Sequence, residues 1–89
     1  MYNKFSDTIA EAYKQVELFN EIASNLDNVT IDSLDNQLSF VYEELVETID
    51  ALEAGDDEEL LDGCADLFVT VAGLMQKLDA AGFKVAEAI

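Results

Sequence analysis

Eighty-nine residues with four lysines, no arginine and no histidine against twenty aspartates and glutamates carry a formal net charge of -16, yet 51% of them are hydrophobic. One domain over residues 1–89 fits this length, the apolar content is too high for an acidic disordered chain, and the charge opposes nucleic-acid phosphates and anionic lipid. The single Cys64 excludes an internal disulfide, and the lack of histidine excludes a Cys/His zinc site, a Ser-His-Asp triad and an imidazole base, leaving carboxylates, hydroxyls, amides and lysines for any chemistry.

No proline interrupts the chain, and its apolar residues recur at helical rather than alternating spacing. The expected fold is all-α, three main helices and a short C-terminal one, in a bundle completed by homo-oligomerisation. The first helix is expected from about Ser6 to Asn25, with Ser6 or Asp7 as its cap and Ile9, Tyr13, Val16, Phe19 and Ile22 as its apolar stripe. Asp32 or Ser33 is expected to cap the second, whose Leu34, Leu38, Val41, Leu45, Ile49 and Leu52 keep the period to about Ala54. Gly55-Asp56-Asp57 reads as a turn, and Asp56 to Glu59 supply the cap and acidic first turn of a third helix reaching about Leu78. The closing FKVAEAI suits one or two further turns. No run approaches the roughly 18 apolar residues of a membrane span, and the opening MYNKFSDTIAEAY has no apolar signal-peptide core, so a cytoplasmic location is expected.

The third helix is apolar around well over half of its circumference, through residues such as Leu60, Leu61, Leu67, Phe68, Val71 and Met75. That pattern predicts a buried helix, with Cys64 as a small buried hydrophobe, and more apolar surface than two short neighbours cover; a homodimeric bundle is expected. Tyr13, Phe19 and Phe40 read as core. A narrow wedge of the third helix holds Asp62, Gly63, Asp66, Thr70, Gly73 and Lys77. The second helix carries Gln37, Phe40, Glu44, Glu47 and Ala51 on a flanking face, with Glu43 and Asp50 further outward.

Glu44, Glu47, Asp62 and Asp66 thus form two acidic pairs on adjacent helices. Acidic pairs at this spacing also occur on plain solvated faces, but short aspartates between apolar neighbours are unusual there. Like charges at about 4–6 Å repel, and with so few lysines the natural compensator is a hard divalent cation on oxygen ligands. Mg²⁺ held by carboxylates commonly takes further oxygens from substrate phosphates, which points to phosphoanhydride or phosphate-ester chemistry. Thr70, Gly73 and Lys77 read as polar lining, close-packing space and either a phosphate contact or surface.

Glu43-Glu44-Leu45-Val46-Glu47, followed by Asp62-Gly63-Cys64-Ala65-Asp66, resembles the all-α nucleoside triphosphate pyrophosphohydrolases, which comprise MazG-like proteins, phosphoribosyl-ATP pyrophosphohydrolases and dimeric dUTPases. Their signature is EExxE and then ExxD. The first part matches, Asp66 matches the second, and Gly63 stands at the usual glutamate position. Asp62 to Asp66 with Gly73 is similar to the DxxxD-aliphatic-Gly pattern of the phosphoribosyl-ATP branch, and Gln15 to Glu21 to its opening helix. The resemblance implies a bundle completed by dimerisation or a dimer of dimers, and Mg²⁺ (or Mn²⁺) on Glu44, Glu47 and Asp66 with Asp62 standing in for the missing glutamate. It implies hydrolysis of a nucleoside triphosphate to monophosphate and pyrophosphate, with Glu47 orienting the attacking water. The basic, Asn-containing C-terminal segment that such relatives use near the phosphates has no counterpart up to Ile89, which leaves Lys14, Lys77 and Lys84 as stand-ins, Lys14 and Lys77 being the substrate-binding candidates. Two further readings stand beside the enzyme: an acidic helical binding module, such as a DNA mimic or an inhibitor of a basic protein, and a degenerate family scaffold.

Overall fold

A computed structural model describes residues 4–89 of the chain. Helix α1 spans Lys4–Ile22, α2 Ile31–Ala54, α3 Asp57–Ala80 and α4 Val85–Ala88, and the described residues contain no strand. The expected all-α order of three long helices and a stub is what the chain adopts. No helix among the described residues is long and apolar enough to cross a membrane.

The caps explain the boundaries. Helix α1 is already running at Lys4, so Ser6 and Asp7 lie inside its first turn rather than capping it. It ends at Ile22, ahead of Ser24, which takes a left-handed backbone conformation (φ 59°) incompatible with continuing the helix. The cap of α2 is Thr30, not Asp32 or Ser33. Thr30 Oγ1 accepts from the Ser33 amide at 3.2 Å while Ser33 Oγ accepts from the Thr30 amide at 2.9 Å, a reciprocal box that satisfies two free backbone donors at once. At the other end Gly55 adopts φ 70° and closes the helix with its amide on the last carbonyls. Asp56 then caps α3 by accepting from the Glu59 amide at 3.0 Å, as its sequence position predicts.

A connection this short folds α2 and α3 into an antiparallel hairpin, which is the principal contact of the fold; α1 packs on α3 and not on α2. The interior is thin, with Ala51 and Ala72 as the buried apolar residues among those described. Helix α3 is therefore not enclosed as its composition predicts. Leu61 is 71% exposed, Val69 and Val71 are exposed, and Cys64 lies at the surface rather than in a core. The reason is geometric: α1 and α2 lie against two sides of α3 and the short α4 touches it near its end, and among the described residues no helix covers Leu61, Val69 or Val71. Ile22 and Phe19 at the end of the α1 stripe and Phe40 on α2 are exposed for the same reason, while Tyr13 is half-buried.

Candidate functional site

The α2–α3 seam is drawn tight by two glycines on α3. Near the turn Gly63 is buried against Thr48, whose hydroxyl donates back to the Glu44 carbonyl at 2.6 Å. A Cβ on Gly63 would fall 3.1 Å from Thr48 Cβ and 3.2 Å from its Cα, and closer still to its hydroxyl oxygen. The departure at this position thus has a physical cause: the second helix itself fills the space a glutamate would need. Further along, Gly73 makes room for the carboxamide of Gln37, whose Nε2 lies 2.9 Å from where a Cβ would sit.

Between these two crossings lie the acidic residues. Glu44 is half-buried and its Oε2 is sealed from solvent without a hydrogen-bond partner. Its carboxyl is held above the ordinary glutamate range, first by loss of solvation, then by the charges of Glu47 and Asp66, by a hydrogen bond to Glu47 that only its protonated form can donate, and by Glu43. Glu47 and Asp66 are exposed at the seam's edge. The structure therefore brings Glu44, Glu47 and Asp66 to one place. Asp62, also exposed, is not among the charges acting on Glu44.

Among the described residues no three of these side chains already enclose a point at which an ion would sit. Their chemistry nevertheless suits one. The donors are hard oxygens, one of them is sealed and unpartnered, and Mg²⁺ characteristically keeps several waters and uses one or two carboxylates plus substrate oxygens rather than a full protein cage.

The lysines separate. Lys77 lies half-buried in the seam, its Nζ donating to Gln37 Oε1 at 2.9 Å. Lys14 instead borders a groove of about 620 Å³ between α1, α3 and α4, lined by Ile9, Tyr13, Phe68, Met75, Val85 and Ile89 among others. Phe68 and Met75 lie roughly half a turn around α3 from Asp66, so Lys14 and the carboxylates are on different sides of the helix. Lys84 is exposed at the N-cap position of α4 and makes no side-chain cap bond.

Sequence reasoning missed a chain of amides joining α1 to α3. Asn20 Nδ2 donates to Gln76 Oε1 at 2.8 Å, Gln76 Nε2 donates to the Tyr13 carbonyl at 3.2 Å, and Asn25 donates to Asn20 Oδ1 at 3.1 Å. Gln76 is only 2% exposed. The available signal was an amide at an inward position of a helix otherwise apolar there, overlooked because periodicity counts only the apolar residues.

A strand-free helical hairpin with carboxylates gathered on its seam is the arrangement that the resemblance to the all-α, MazG-like nucleotide pyrophosphohydrolases implies. The family model for phosphoribosyl-ATP pyrophosphohydrolase matches residues 17–86, most of the chain, and the chain belongs to that family. No curated protein and no solved structure matches it.

Proposed function

We propose that the α2–α3 seam hydrolyses a (deoxy)nucleoside triphosphate or a related nucleotide at the α–β anhydride, giving the monophosphate and pyrophosphate, with Mg²⁺ or Mn²⁺ as cofactor. Membership of a pyrophosphohydrolase family supports the reaction class. The observation that carries the reading is the sealed, unpartnered Oε2 of Glu44 beside Glu47 and Asp66, an arrangement unfavourable by itself and relieved by a divalent cation. Glu44, Glu47 and Asp66 would be the metal ligands, with exposed Asp62 as an outer fourth. When bound, the ion supplies polarisation of a phosphoryl oxygen and a lowered pKa for the attacking water. Glu47, exposed on the seam, orients that water and takes its proton; the water oxygen bonds to phosphorus as the bridging P–O bond breaks and pyrophosphate departs.

The uncovered apolar residues of α1 and α3, Ile22, Leu61 and Val69 among them, support self-association into a homodimer or homotetramer. The net charge of -16 argues against nucleic-acid polymers and anionic membranes as partners. A lone exposed thiol suits a reducing compartment, and the cytoplasm is the proposed location.

The test is pyrophosphate release from a panel of NTPs and dNTPs with Mg²⁺, Mn²⁺ or EDTA, on wild type, Glu47→Gln and Asp66→Asn. Divalent-dependent turnover that falls by about 10²-fold or more in both variants is expected. Folded wild-type protein that releases no pyrophosphate from any nucleotide would reject the reading and leave the acidic binding module or the degenerate scaffold.

A further inference from the structure

Helices α2 and α3 contain one basic residue between them, Lys77, and its ammonium ends on a neutral amide although acidic residues abound in both helices. One of its three donors is used by Gln37 Oε1. The position is built rather than incidental. Gln37 Nε2 donates to the Thr70 carbonyl at 2.8 Å, which turns Oε1 the other way, towards Lys77, and Gly73 leaves the space in which that carboxamide lies across α3. The negative end of α3, three residues on, favours a cation at Lys77 but does not require a glutamine to aim it.

The register along α2 says what the ammonium can meet. Gln37 and Glu44 are seven residues apart, within about 20° of each other on the helix and separated by roughly 10 Å. That interval is longer than a single phosphate group, so the ammonium is placed for a phosphate further along the substrate than the one held at the carboxylates. The geometry points to Lys77 as the ligand of a substrate phosphate remote from the hydrolysed bond, with Gln37 as the residue that positions it. This inference rests on the pyrophosphohydrolase reading of the seam. The remote phosphate has two sources, the end of the triphosphate chain or a phosphate on the nucleoside side, such as the phosphoribosyl group in the family's name.

Steady-state kinetics on the full chain with ATP and with phosphoribosyl-ATP tests this in wild type, Lys77→Met, Lys77→Arg and Gln37→Leu. Loss of a charge-assisted hydrogen bond should raise KM about tenfold in Lys77→Met with kcat within about twofold; Lys77→Arg should restore it, and Gln37→Leu should raise KM about threefold. A penalty with both substrates assigns the triphosphate end, and one confined to phosphoribosyl-ATP assigns the nucleoside side. An unchanged KM for both substrates in Lys77→Met overturns the inference. Calorimetric titration with inorganic tripolyphosphate and with ribose 5-phosphate separates this from the parent reading. If wild type hydrolyses nothing, the hydrolase reading fails by itself; weaker binding of either probe to Lys77→Met then supports the Lys77 site, and equal binding of both rejects it.

Discussion

The two faces of α3 are held in opposite ways. Towards α2 the backbones approach through Gly63 and Gly73, and side chains from one helix lie directly on the other. Towards α1 the contact is carried by the amide chain from Asn20 through Gln76 to the Tyr13 carbonyl, beside an open groove of about 620 Å³. The carboxylates occupy the tight face, where the close approach of the two helices brings their charges together, and the loosely held face carries none of the candidate metal ligands. Directed polar bonds suit the second face because a helix with so little apolar cover gains orientation from them more than cohesion.

Breaking the tight face should have the largest effect. Gly63→Ala places a methyl against the backbone and side chain of Thr48 and should cost about 1–3 kcal/mol of stability, or more. Urea unfolding would measure it, and a variant as stable as wild type would mean the seam is wider than described. On the loose face, Gln76→Leu leaves the Asn20 amide and the Tyr13 carbonyl without their partner, and should cost about 1–2 kcal/mol. Amide hydrogen exchange should then quicken through α1 and hardly change in the α2–α3 hairpin; uniform acceleration would show that the two faces are not independent.

The electrostatics of the tight face should have a smaller effect on stability. Because the folded chain holds the Glu44 carboxyl above its ordinary value of 4.5, the native state binds a proton more readily than the unfolded one. Without divalent cation, stability should rise as the pH falls from neutral, level off below 4.5, and be lost again as the pH climbs through the raised folded value. Thermal melts across pH 5 to 8 would show a steeper slope for wild type than for Glu44→Gln, and Mg²⁺ should raise the wild-type melting temperature at neutral pH. Parallel slopes for the two proteins would place the repulsion elsewhere in the acidic surface.

Much of this was legible in the sequence, and the failures share a cause. Helical period, the Gly55 turn and the Asp56 cap are local signals, and each lies where the pattern places it. The approach of Glu44, Glu47 and Asp66 followed from two helix faces and a short connection. Gly73 as close-packing space was also readable. The cap of α2 was not, because Thr30, Asp32 and Ser33 all suit the role and only the reciprocal bond between Thr30 and Ser33 decides it. Burial of α3 and of Cys64 was misjudged because apolar pattern reports what a helix could cover and says nothing of how many neighbours the chain supplies. Separation of Lys14 from Lys77 depends on which side of α3 receives α1, a tertiary choice invisible to spacing.

The two-residue connection Gly55–Asp56 fixes the phase of one helix against the other, as a keyway fixes two shafts. One residue added there would turn α3 by about 100° and slide it about 1.5 Å. Asp66 would leave Glu44, Gly63 would leave Thr48 and Lys77 would leave Gln37, all in a single step. Such a hairpin can exchange side chains one by one over evolutionary time, but it cannot change the length of its turn without dismantling everything the seam aligns.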